Sequence, residues 1–61
     1  MCESNVFLEK ENKEEAVMED VISIKPYGDE LVLTDILGKQ IRIKAQIKEI
    51  NLLDHKVILE K

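Results

Sequence analysis

A chain of 61 residues has room for one domain and one small core, spanning residues 1–61. It buries only about 60% of the surface its unfolded form exposes, so folds of this size often lean on a disulfide, a metal or a second subunit. A lone cysteine, Cys2, excludes an intrachain disulfide, and a net charge of −4 weighs against general affinity for nucleic acid, whose phosphates repel an acidic molecule.

Asn5-Val6-Phe7-Leu8-Glu9-Lys10 reads as a first strand. Successive strand side chains point to opposite faces, which turns Val6 and Leu8 inward and Phe7 outward. An apolar residue on the outer face predicts a second small core, a lid or a subunit interface there. Glu11-Asn12-Lys13 is a polar turn. Between Glu14 and Asp20 two readings stand. Val17, Met18 and Val21 fit one helical turn, while Ala16-Val17-Met18 fits a short strand ending in a corner at Glu19-Asp20. The β-rich surroundings favour the strand. Val21 to Lys25 is the next strand, stopped by Pro26, which has no N–H for a ladder, and Tyr27-Gly28-Asp29 supplies turn chemistry. Glu30 to Asp35 follows with Leu31 and Leu33 inward, and Gly38 takes a positive φ in the next connection.

Gln40 to Ile50 carries the clearest pattern. Ile41, Ile43, Ala45 and Ile47 fall on one side, and Arg42, Lys44, Gln46 and Lys48 on the other. Ile50 breaks the alternation after Glu49, which predicts a bulge or bend near Lys48-Glu49. The run is long for a strand, and a long bent strand serves two parts of a curled sheet. Asn51 to Lys56 is a turn, and Lys56 to Glu60 a last strand. Five or six short strands with no helix longer than a turn predict an all-β fold. The expected form is a small antiparallel SH3-like barrel whose first and last strands lie close together.

No apolar run approaches the ~20 residues of a membrane span, and no signal-peptide core follows Met1. An unpaired cysteine fits a reducing compartment, so the expected location is cytoplasmic. Catalysis has little material, so the expectation is a protein that is not an enzyme. There is no glycine-rich phosphate loop, no CxxC and no HExxH. A Cys2–His55 nucleophile–base pair needs the fold to bring the terminus to the last turn, and His55 reads first as an exposed turn residue. Glu14, Glu15, Glu19 and Asp20 lack the glycine and ligand alternation of a calcium loop and read as a solvated acidic turn. Arg42, Lys44 and Lys48 share a strand face and form the candidate RNA stripe. Phe7 and Tyr27 are the only aromatics available for stacking.

Cys2 stands apart because of its position. Removal of Met1 leaves a free amine and a thiol on one residue, which together close an N,S chelate ring around a metal. Both donors lose protons on binding, so affinity rises with pH. With Met1 retained, the Cys2 nitrogen has to act as an amidate, which is harder near neutrality. One cysteine cannot fill a coordination sphere. Two copies about a two-fold axis supply N₂S₂, a donor set that in square-planar form favours Ni(II) or Cu(II), whereas thiolate alone also suits Zn and Cu(I). The plain alternative is a small buried or frayed terminal thiol.

Met1-Cys2 leading into Val6-Phe7-Leu8, then Val17-Met18-Glu19-Asp20-Val21, then Leu31 and Leu33 with Asp35-Ile36-Leu37-Gly38, resembles the small CooT-like proteins. Ile47-Lys48-Glu49-Ile50-Asn51-Leu52 and Val57-Ile58-Leu59-Glu60 continue the likeness, so it covers nearly the whole chain. The resemblance implies an SH3-like barrel, a homodimer, and Ni(II) bound through Cys2 at the dimer interface. It further implies a metallochaperone-type accessory role in supplying nickel to carbon monoxide dehydrogenase. Related sequences also carry a general RNA-binding label. His55 matches no ligand position of the family.

Overall fold

The computed structural model describes residues 3–61. Six strands make one sheet: β1 (Ser4–Lys10), β2 (Lys13–Tyr27), β3 (Glu30–Asp35), β4 (Gln40–Ile43), β5 (Gln46–Asn51) and β6 (Lys56–Glu60). Their order across the sheet is β4-β3-β2-β1-β6-β5. The fold is all-β, as the sequence predicts. Among the described residues no helix is long and apolar enough to cross a membrane.

Turn chemistry sets the path. Glu11 and Asn12, with φ of 54° and 63°, form the two-residue link between β1 and β2. Positive φ at both central residues matches the twist of the flanking strands. Gly28 (φ 62°) and Asp29 link β2 to β3 in the same economical way. Pro26 does not stop β2. It pairs with Leu31 beside this turn, next to the closing Tyr27–Glu30 pair. Its nitrogen faces the side away from β3, where β1 has already ended at the Ser4–Val21 pair, so no ladder bond is lost.

The 13–27 segment is therefore one strand with a corner, and the strand reading of residues 14–20 holds over the helical turn. Its first half pairs with β1 and its second half with β3, with Val21 paired to both Ser4 and Asp35. Asp20, at φ 55°, makes the bend between the halves, with register shifts on either side.

Gln40–Ile50 is not one strand. It breaks at Lys44-Ala45, and the two pieces form opposite edges of the sheet. Neither Lys44 nor Ala45 has the positive φ of a two-residue hairpin, so the chain runs on instead of reversing and β4 cannot pair with β5. This corrects the expected closed, antiparallel barrel. Without a reversal between β4 and β5, β6 returns in the direction of β1 and pairs with it in parallel, from Asn5–Lys56 to Glu9–Glu60. The first and last strands are neighbours as expected, in an open mixed sheet.

The inner face of the curl holds Val6, Met18, Val21, Leu31, Leu33, Ala45, Val57 and Leu59, with Leu8, Val17, Ile24, Ile41 and Ile43 packed against them. Ile47 takes the expected face, opposite the buried Leu59. It is nevertheless 43% exposed, because β5 is an edge strand, and a register shift between Ile47 and Glu49 marks the predicted bulge. On the outer face Phe7 pairs with Ile58, which is buried although it lies outside the main cluster. The Lys56 ammonium sits 5.0 Å from the Phe7 ring centroid and 2.6 Å from Glu14 Oε1. Phe7 is thus half-buried on the outer face, paired with Ile58 and capped by charge.

Candidate functional site

The start of β1 is held at a junction of three other segments. The Asn5 N–H donates to the His55 carbonyl at 2.9 Å, and the Asn5 side-chain oxygen accepts from the Asp20 N–H at 3.3 Å. The Asp20 carbonyl in turn accepts from the Ile36 N–H at 2.9 Å. One bonded line therefore runs from the β5–β6 turn, through the start of β1 and the corner of β2, to the β3–β4 turn. All four lie at one end of the sheet.

Both turns at that end are capped by side-chain hydrogen bonds and both present apolar side chains to solvent. In the β3–β4 turn the Asp35 carboxylate accepts from the Leu37 N–H at 3.0 Å and the Lys39 N–H at 2.9 Å, and Gly38 takes φ 88°. In the β5–β6 turn the Asn51 side chain accepts from the Asp54 N–H at 3.1 Å, and His55 takes φ 52°. These are side-chain-capped turns, with Asp and Asn bonding the backbone a few residues on. Ile36 and Leu37 project from the first, Leu52 and Leu53 from the second; Leu37, Leu52 and Leu53 are 81–90% exposed. Sequence reading took both stretches as turns and passed over their leucines, although two adjacent large apolar residues in a tight turn are themselves a signal.

Cys2, the expected metal ligand, lies outside the described residues. It is joined to this junction through Glu3 and Ser4. Glu3 adds an observation of its own. Its Oε2 atom is, among the described residues, the one buried side-chain nitrogen or oxygen without a hydrogen-bond partner. Glu3 as a whole is half-buried, and among the described residues no polar or charged residue is fully buried. His55 does reach the start of the chain, but through its backbone carbonyl. Among the described residues no three His, Cys, Asp or Glu side chains gather as a metal site.

The candidate RNA stripe is neutralised residue by residue. Arg42 Nη1 lies 3.7 Å from Glu30 Oε1, and Lys44 Nζ 3.2 Å from Asp29 Oδ2. Lys48 is hydrogen-bonded to both oxygens of Glu9. Arg42 also stacks near Tyr27, 5.9 Å from the ring centroid. Hydrogen bonding to Glu9 is the main cause that raises the Lys48 pKa, and hydrogen bonding to Glu14 does the same for Lys56. The split at Lys44-Ala45 also sends Lys48 to the sheet edge opposite Arg42. An open groove of about 540 Å³ follows the join between β4 and β5, lined by Pro26, Leu31, Lys44 and Ala45 among others. It sits at the far end of β3 from Asp35.

A family model described as CO dehydrogenase accessory protein CooT matches residues 1–60. An uncharacterized protein of Methanocaldococcus jannaschii is 32% identical over 60 residues, covering 98% of each chain. An uncharacterized protein of Archaeoglobus fulgidus is 40% identical over 43 residues, covering 70% of this chain and 96% of its own. A crystal structure ascribed to CooT from Carboxydothermus hydrogenoformans superposes with a TM-score of 0.93 at 38% identity, covering 98% of this chain and 97% of that one.

Proposed function

Since the chain belongs to the CooT family of carbon monoxide dehydrogenase accessory proteins, we propose that it is a cytoplasmic, homodimeric nickel-binding protein that supplies Ni(II) to a nickel enzyme, with Cys2 of each copy holding a shared ion. The whole-chain family match carries this reading. Nickel is here a cargo, and carbon monoxide dehydrogenase is the client the family description points to.

The donor chemistry fits. An amine and a thiolate on one residue form a compact chelate, and two of them complete the N₂S₂ set that square-planar divalent ions favour. The fold adds support for pairing two copies. The residues that lead from Cys2 into β1 are anchored between the two turns that expose Ile36, Leu37, Leu52 and Leu53. A second copy meeting this end covers that apolar surface and brings two chain starts together. The other 59 residues then serve as a stiff mount for the ligand.

Native mass spectrometry with and without Ni(II) tests the reading. The expected result is a dimer that takes up one Ni(II), with Met1 processing read from the same spectrum. A thiolate-to-nickel absorption band accompanies uptake. Cys2→Ser is expected to abolish band and uptake while leaving the folded sheet intact. Stoichiometric Ni(II) binding by that variant overturns the assignment.

A further inference from the structure

We propose that the outer edge of β4 docks an extended segment of a partner protein, one in which apolar and acidic residues alternate, as an added strand of the sheet. The sheet has two free edges, β4 and β5, and they differ. β5 is blunted in the manner of native edges, by a bulge between Ile47 and Glu49 with Lys48 inside it. β4 keeps an unbroken register against β3, from Leu31–Ile43 to Thr34–Gln40. Next to it the Asp35 N–H donates to the Lys39 carbonyl at 2.9 Å. Bonding alternates along an antiparallel ladder, so Ile41 and Ile43 turn their backbone groups to β3, while Gln40 and Arg42 turn theirs outward. β2 and β3 stand between this edge and the start of the chain.

A charged side chain such as Arg42 ordinarily guards an edge, but here the exposed side chains lean the other way. Gln40 Nε2 donates to Thr34 Oγ1 at 3.2 Å, Arg42 reaches Glu30, and Lys44 reaches Asp29. All three partners lie on β3 or in the turn before it, so the backbone edge of β4 is left bare. Faces and charge then define the occupant. Ile41 and Ile43 are half-buried on one face and Arg42 is exposed on the other, which calls for apolar residues alternating with polar ones. Lys39, Arg42 and Lys44 make the edge cationic, and the exposed pairs of Arg42 and Lys44 are weak enough to be exchanged for a new acid. A second copy fits poorly. Antiparallel self-pairing that apposes Ile41 with Ile43 sets Arg42 against its own copy, and pairing centred on Ile41 sets Ile43 against Lys39. Past Ile43 the edge runs into the groove of about 540 Å³, whose lining includes the buried Leu31 and Ala45 and suits an apolar side chain. Main-chain bonds along the edge supply affinity, and such a pocket supplies specificity.

The test adds a synthetic peptide of alternating valine and glutamate to the purified full chain and follows backbone amides by NMR. Slower exchange at the Gln40 and Arg42 amides is expected, with shifts confined to β3 and residues 39–44. Affinity falls as salt rises, and a peptide with lysine in place of glutamate binds more weakly. Arg42→Pro deletes an outward N–H without breaking a bond to β3, so circular dichroism stays unchanged and peptide binding is lost. Arg42→Gln keeps the N–H and removes the charge, which weakens binding about two- to five-fold. The same peptide with every amide N-methylated imposes the block from the partner's side, whatever the proline variant does to folding, and is expected not to bind. Failure of the valine–glutamate peptide to slow those two amides at millimolar concentration overturns the proposal. Undiminished binding by Arg42→Pro or by the N-methylated peptide does the same, as do shifts centred on β5 or on the leucine-bearing turns. Slowing that appears when the protein alone is concentrated makes a second copy the occupant and overturns the choice of partner.

Discussion

At the scale of single residues, Asp20 shows how much of this fold rests on local backbone choices. Its φ of 55° lies in the left-handed region, which L-residues other than Asn and Asp seldom occupy. The bend survives because both of its backbone groups are used: the N–H by Asn5 and the carbonyl by Ile36. Asn5→Ala removes the acceptor and is expected to cost about 0.5–1.5 kcal/mol, the net worth of one hydrogen bond. Urea unfolding measures the loss, and faster amide exchange at Asp20 identifies its source. A loss of stability without faster exchange there sinks the explanation. Deeper in the curl, Leu33 and Leu59 are fully buried, so truncating either to alanine is expected to cost about 2–5 kcal/mol. A chain of this length has only about 3–9 kcal/mol in total. Either variant should therefore melt well below the parent protein by circular dichroism. A cooperative melt near that of the parent protein counts against the packing account.

Elements were legible where the period of the side chains matched a single environment. Glu30–Asp35 and Lys56–Glu60 stand where the alternation put them. Gln40–Ile50 alternates without a flaw through Lys48, yet breaks at Lys44-Ala45, because hydrophobic period reports which face a residue takes and says nothing about hydrogen-bond partners. The missing signal was one of absence: no glycine or asparagine at the midpoint, hence no hairpin, hence a β6 that returns parallel to β1. In the 13–27 strand, acids at Glu14, Glu15, Glu19 and Asp20 masked the alternation, because its first four residues are all exposed, and the strand was legible only from its β-rich surroundings. The candidate site divided in the same way. Cys2 was visible as a residue type at a telling position, whereas only the fold placed the two leucine-bearing turns at one end of the sheet. Between elements, Glu9–Lys48 and Glu14–Lys56 tie β1 to β5 and β2 to β6. Both lysines hold their protons more tightly than an ordinary lysine, first through the hydrogen bond to their acid. A raised folded-state value means the contribution is complete below the unfolded lysine value and fades as pH rises through the folded one. Melting temperature is expected to hold steady on this account from neutrality to about pH 10 and to fall beyond it. Exposed pairs contribute little, so the comparison with Lys48→Met and Lys56→Met, which should lose part of the alkaline slope, is what decides. Identical slopes in parent and variants rule the pairs out.

For the whole molecule, the open sheet raises the question of what completes it. A 61-residue chain with a small core, no disulfide and an exposed apolar end fits association better than solitude. Four apolar side chains per copy make a patch smaller than the roughly 800 Å² per partner of a standard interface, so the metal-free dimer should be weak. On the proposed reading a shared Ni(II) binds only where two chain starts meet, and a ligand specific to one state stabilises that state by mass action. Sedimentation equilibrium over a dilution series should show the metal-free dimer dissociating at concentrations where the nickel-loaded one persists. Leu37→Glu and Leu53→Glu each place a carboxylate on an exposed turn, where the folded sheet has no reason to object. In a dimer the same carboxylates face burial without a partner and like charge across the axis. Both variants should therefore fold with unchanged circular dichroism, sediment as monomers without metal, and bind Ni(II) more weakly because the second Cys2 is no longer at hand. Dimers of undiminished strength in both variants would place the interface elsewhere on the sheet. Monomers that still take one Ni(II) per chain at full affinity would mean that a single chain start is a complete site.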